Sequence, residues 1–124
     1  MPLSNDLQEH IQDECTKYNV EYELILAMIE LESNFTVDCV SYTNDHGLMQ
    51  IHNRPDLLDP YLNTSFGIKL IGELIAKYEN YNDALMCYNC GEYGASQLWE
   101  SGVYSTEYSR IIMEKYDYYK SIIM

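Results

Sequence analysis

The chain has 124 residues, is 47% hydrophobic, and carries 20 acidic against 7 basic side chains, for a formal net charge of −13. That length suits one domain able to bury about two-thirds of its unfolded surface, and the apolar content excludes a disordered chain. The acidity, with no Lys/Arg cluster to offset it, excludes general attraction to nucleic acid or to an anionic surface. In chain order, Leu7, Ile11, Cys15 and Tyr18 recur at i, i+4, i+8 and i+11, which predicts an amphipathic helix from Ser4 or Asn5. Asn19 is placed as the cap of a second helix, with Glu21 in its first turn near the positive end of the dipole. Only Leu48 to His52 alternates like a strand. Asp59 followed by Pro60 is a helix start, and that helix is expected to reach about Tyr81, with Gly67, Ile71, Leu74 and Tyr78 along one face. Asn82 or Asp83 opens the next helix, which Gly91 closes. A short helix over Ala95 to Glu100 and a long one over Thr106 to Ile122 complete a mostly α domain of about six helices. With no internal repeat and no Pro/Gly/Ser linker, residues 1–124 read as a single domain.

No stretch approaches the roughly 20 apolar residues of a membrane span. The N-terminal MPLSNDLQEH lacks the basic region and apolar core of a signal peptide. A chain that stays inside, one exported by other means, or a piece of something larger are the expectations that follow. Cys15, Cys39, Cys87 and Cys90 are too sparse for a disulfide framework. Cys87 and Cys90 have the spacing of half a metal or redox motif, but no second Cys pair, suitable His pair or βαβ pattern accompanies them. Both read as small core fillers in a helix. His46, His52 and Asp45 fit no common metal spacing, so no metal or cofactor is expected. The 13 tyrosines read mainly as amphipathic helix residues with a wet hydroxyl.

Two glutamates close the apolar run YELILAMIELES. Ile25, Ile29 and Glu32 lie at i, i+4 and i+7, which sets Glu32 on the apolar stripe of the second helix. Glu23, Ala27 and Glu30 share the opposite, wetter face, about 200° away, so the two carboxylates do not form a pair. Glu30 reads as solvated surface. Glu32 stands where burial and the negative end of the helix both disfavour its charged form, which raises its pKa toward that of a general acid near neutral pH. The same spacing also suits a helix that frays at a partly exposed glutamate.

"ESNF" is followed in order by "SYTNDHGLMQIHN", "NTSFG", "CYNCG" and "TEYSRII". In this order and spacing the chain, from roughly Tyr18 to Tyr119, resembles the soluble lytic transglycosylase family of peptidoglycan-cleaving enzymes, with its goose-lysozyme-like α fold. The resemblance implies that Glu32 is the catalytic acid/base and Ser33 its Glu-Ser partner. It implies that Ser41 lines the cleft, and that Met49 and Gln50 of an intact Gly-Leu-Met-Gln-Ile, with Gln50 contacting sugar, are substrate-binding. Tyr88 and Asn89 match the family's Tyr-Asn, and Tyr108 matches the last-helix tyrosine that approaches the catalytic carboxylate. Cys87 and Cys90 depart from the usual alanines, Glu92 from a common proline, and His52 from a common methionine. Tyr104 stands where some members have a glutamate, with Glu107 nearby instead.

The implied reaction is non-hydrolytic cleavage between N-acetylmuramic acid and N-acetylglucosamine, leaving 1,6-anhydro ends, by a monomer acting on glycan strands of the bacterial wall. With no visible signal peptide, the chain is expected to be a phage or mobile-element wall-opening enzyme, or a domain of a larger exported protein. Two other readings stay open. A muramidase of the same bond would need a second carboxyl group, for which Asp38 and Asp45 in the following loop are available. A non-catalytic wall-binding or assembly module could keep the same fold.

Overall fold

The computed structural model describes residues 2–123. Helix α1 (Asn5–Tyr18) starts where Ser4 Oγ accepts the Leu7 N–H at 3.2 Å, and it buries Leu7, Ile11 and Cys15, as their spacing predicts. It ends at Asn19, whose left-handed conformation (φ 57°, ψ 49°) turns its N–H onto the Cys15 and Thr16 carbonyls. Asn19 therefore closes the first helix instead of opening the second. Asparagine serves at both kinds of cap, and here its tolerance of positive φ decides.

Helix α2 (Tyr22–Ser33) is buried at every position from Leu24 to Ile29, which makes it the central helix of the core. Its main neighbour is α5 (Glu107–Ile123). The wet face expected for Glu23, Ala27 and Glu30 is not wet, because α5 lies along it. Ala27 is fully buried. Glu30 is half-buried, ion-paired with Lys115 Nζ at 2.7 Å and bonded by the Tyr119 hydroxyl. Lys115, and then Tyr119, hold its carboxyl below the usual glutamate range. A depressed folded pKa stabilises above the unfolded pKa and is lost as pH falls. Glu30→Gln should therefore cost about 1 kcal/mol at pH 7, a loss that fades under acid, while turnover is preserved. Denaturant unfolding at pH 7 and under acid conditions checks this.

Beyond α2 the chain reverses through a loop closed by an antiparallel pair, β1 (Asp45–His46) and β2 (Ile51–His52), with Asp45 opposite His52 and His46 opposite Ile51. Only the last two residues of the extended stretch predicted over Leu48 to His52 are strand. Leu48, Met49 and Gln50 lie in the turn, bracketed by positive φ at Gly47 (79°) and Gln50 (53°). A short 3₁₀ turn (Pro55–Leu58) follows. Asp59 then caps α3 (Pro60–Tyr78) by accepting the Tyr61 and Leu62 N–H groups, the start that Asp-Pro signals.

Helix α3 stops at Glu79, in the left-handed region, short of the predicted Tyr81. Asn80, not Asn82 or Asp83, caps α4 (Tyr81–Glu100), accepting the Asp83 N–H at 2.9 Å. Gly91 (φ 77°, ψ 159°) breaks α4, and the short helix expected over Ala95 to Glu100 is its second half. Thr106 and Ser109 open α5 by exchanging backbone N–H to hydroxyl bonds of 3.0 and 3.1 Å. With α1 on α3, α3 on α4 and α5 on α2, the end of α2 meets the hairpin, α3 and α4 at one hollow.

Candidate active site

Glu32 is in the last turn of α2, where the buried run gives way to the surface, and it lines a cavity of about 430 Å³. Burial pushes its carboxyl up, the Tyr108 hydroxyl donating to Oε2 at 2.8 Å pulls it down, and the charge of Asp45 pushes it up again. The outcome is a pKa of about 7. Tyr108 comes from the first turn of α5; burial first, and then the Glu32 charge, keeps its phenol well above the usual range, so it stays a donor.

Opposite Glu32 stands the turn between β1 and β2. Gln50 holds a left-handed backbone that its own side chain secures: Nε2 donates to the Gly47 and Cys39 carbonyls at 2.8 and 3.1 Å. Its Oε1 is left to accept from a ligand. The turn is latched to α3 by Asn63, which is fully buried. Asn63 Oδ1 accepts the Met49 N–H, and Nδ2 donates to the His46 and Leu57 carbonyls, each at 2.8 Å. Gly47 faces this latch with positive φ, and a Cβ there would fall on the Asn63 amide. From α4, Tyr88 donates its hydroxyl to the Met49 carbonyl at 2.8 Å. Tyr88 and the exposed Asn89 complete that wall.

The structure thus brings Glu32, Gln50, Tyr88 and Asn89 onto one cavity, with Tyr108 bonded to Glu32 beside it. Three other expected site residues are not on its lining. Ser33 is buried and returns its hydroxyl to the Ile29 carbonyl at 3.1 Å, a bond within α2 that points it away from the cleft. Met49 is fully buried, facing Gly67, because the turn rotates its side chain inward; only its carbonyl serves the site, as the acceptor for Tyr88. Ser41 bonds to Thr43 and Asp45 and reaches the cavity only through Asp45. Cys87 is a buried filler as expected, whereas Cys90 is exposed, one residue before the break at Gly91.

Asp45, one of the two loop acids available in the sequence as a second carboxyl group, is on the lining, held by Thr43 at 2.8 Å, by Ser41 at 3.3 Å, and by His52 Nδ1 at 2.9 Å. Burial raises its carboxyl, but these bonds together hold it below the usual aspartate range. Arg54, Phe66 and Leu70 also line the cavity. Phe66 and Leu70, one turn apart on α3, could have been found from their i, i+4 spacing on a helix already predicted. Arg54 carries no local signal.

A helical core, a two-stranded hairpin, and one half-buried glutamate facing a Gly-Leu-Met-Gln-Ile turn define a lysozyme-like type of domain. The chain belongs to the transglycosylase SLT domain family, whose model matches residues 9–112. Among solved structures it is similar to the 70 kDa soluble lytic transglycosylase from Escherichia coli (TM-score 0.82, 17% identity). It is also similar to an inactive mutant of the lytic transglycosylase Slt from Pseudomonas aeruginosa (TM-score 0.80, 16% identity). Both matches cover 98% of this chain, which spans only 25% of either relative. The fold is therefore the lysozyme-like fold of their lytic transglycosylase domains. Among the described residues no helix is long and apolar enough to cross a membrane.

Proposed function

We propose that this chain cleaves the β-1,4 bond between N-acetylmuramic acid and N-acetylglucosamine in peptidoglycan without consuming water, and that Glu32 is its only acid/base. The observation that carries this is the half-buried Glu32 carboxyl on the cavity wall, which with a pKa of about 7 is able to hold a proton and to release it. Glu32 gives its proton to the glycosidic oxygen as the bond to C1 of muramic acid breaks. The acetamido group of the same sugar stabilises the developing cation. The Glu32 carboxylate then removes the proton of the C6 hydroxyl, whose oxygen bonds to C1 and closes the 1,6-anhydro ring. Gln50 and Asn89 hydrogen-bond the sugars, and the Tyr88 ring offers a face to stack against.

One observation favours hydrolysis instead: Asp45 shares the cavity and could act as the second carboxyl group. Its oxygens, however, already accept from Thr43, Ser41 and His52, and its depressed pKa makes it a poor base for activating water. A role for Asp45 as a fixed charge fits better. Asp45→Asn should then lower the Glu32 pKa and move the basic limb of the kcat/KM profile to lower pH. Tyr108→Phe, which removes the bond that pulls that pKa down, should move the limb to higher pH. Shifts of the same sign in both variants would contradict this assignment. The reading as a whole is tested by release of soluble muropeptides from purified sacculi: the chain should release them, and a chain that binds sacculi without releasing fragments is a wall-binding module.

A further inference from the structure

Among the described residues Arg54 is the one guanidinium on the cavity wall, in a chain with only 7 basic side chains. Its orientation is set on two sides. Nε and Nη2 donate to Asp56 Oδ1 and Oδ2 at 2.9 and 2.8 Å, a two-pronged fork. The guanidinium carbon also sits 5.1 Å from the centroid of the Phe66 ring, which lines the same cavity. A guanidinium has five N–H donors. The fork uses two, which leaves both on Nη1 and one on Nη2 without a protein partner among the described residues. An arginine already held along one edge and one face loses less side-chain freedom when its remaining edge binds a ligand. Lys77, Lys115 and Lys120, by contrast, are committed to ion pairs with Glu92, Glu30 and Glu21.

We infer that Arg54 determines specificity, its free edge binding a carboxylate carried by the glycan strand. The inference rests on the proposed function. The repeating N-acetylglucosamine unit is neutral, so a carboxylate marks the muramic acid side of the scissile bond. Two sources share this chemistry: the lactyl ether where the stem peptide has been removed, and the stem peptide where it remains. A planar carboxylate matches the Arg54 edge in either case. A neutral polymer of N-acetylglucosamine would reach the same cavity without this contact.

Binding can be measured by calorimetry in the Glu32→Gln chain, which holds strands without turnover. The probes are three soluble oligosaccharides of equal length: muramic acid strands without peptide, the same strands with stem peptides, and an N-acetylglucosamine oligomer. Adding Arg54→Gln should raise Kd at least tenfold for a carboxylate-bearing strand and less than twofold for the neutral oligomer. The strand with the larger loss identifies the lactyl or the peptide carboxylate as the partner. Equal losses on all three probes, or no loss on either carboxylate strand while sacculi are still turned over by the unmodified chain, overturn the role of Arg54 and leave the proposed function standing. Binding to none of the three, together with no turnover of sacculi, overturns both.

Discussion

Glu32→Gln should lower turnover on sacculi by at least 10²-fold and, at pH 8, leave a protein that melts at the same temperature or higher. The amide can neither donate nor accept the proton that both halves of the reaction move, and general acid/base groups contribute on this scale. The stability effect has the opposite sign. The Glu32 carboxyl is raised from 4.5 to about 7 by burial, so the folded state holds its proton more tightly than the unfolded chain. Between those two values rising pH removes stability, by about 1.4 kcal/mol for each step of one in pH and hence at most about 3–4 kcal/mol at pH 8. An uncharged amide of the same shape, still able to accept from Tyr108, removes that penalty. At pH 4, where the carboxyl is protonated in the folded state, the gain should vanish. The same pKa sets the pH profile of the unmodified chain, whose kcat/KM should fall above about pH 7. Calorimetric melting at the two pH values and initial rates across the range check all three statements. A Glu32→Gln chain less stable at pH 8, or one with near-normal turnover, would contradict them.

Asn63→Ala should produce the largest loss of stability among single changes near the site. Asn63 is fully buried, and its three bonds of 2.8 Å satisfy the Met49 N–H and the His46 and Leu57 carbonyls. Alanine leaves those groups unpaired inside the protein, at roughly 1–3 kcal/mol each, so a total near 3–4 kcal/mol is expected once the turn relaxes toward water. Turnover should fall as well, because the turn that Asn63 fixes carries Gln50 and presents the Met49 carbonyl to Tyr88. Asn63→Asp should be no milder, since a carboxylate oxygen would replace the donor that faces two carbonyls. Denaturant unfolding checks the stability, and rates corrected for the folded fraction check the site. A cost below 1 kcal/mol would mean that the turn is held by its own backbone bonds.

Much of this is legible in the sequence where a local rule decides. The stripe of Ile25 and Ile29 puts Glu32 at the buried end of α2, and Asp59-Pro60 marks the start of α3, because periodicity and capping act within one or two turns. The same rules fail where a partner lies far along the chain. Glu30 reads as solvated, yet its partners Lys115 and Tyr119 are 85 and 89 residues away. Ala27 looks wet only because α5 is invisible from α2. Asn19 is good at either kind of cap, and spacing alone does not choose between them. In the site, the family resemblance implies that Met49 binds substrate, but positive φ at Gly47 and Gln50 makes a turn that buries it. Arg54 escapes a sequence reading because what holds it in place includes Phe66, on a different element.

The central claim, that one carboxyl group completes the reaction without water, is tested most directly by digesting purified sacculi in ¹⁸O-labelled water and weighing the new glycan ends by mass spectrometry. Glu32 acting as acid and then base predicts 1,6-anhydro muramic acid ends with no ¹⁸O at C1, and none of these ends from Glu32→Gln. Reducing ends carrying ¹⁸O at C1 would show that water is the nucleophile, and would make the chain a hydrolase with Asp45 as the carboxyl group to examine next.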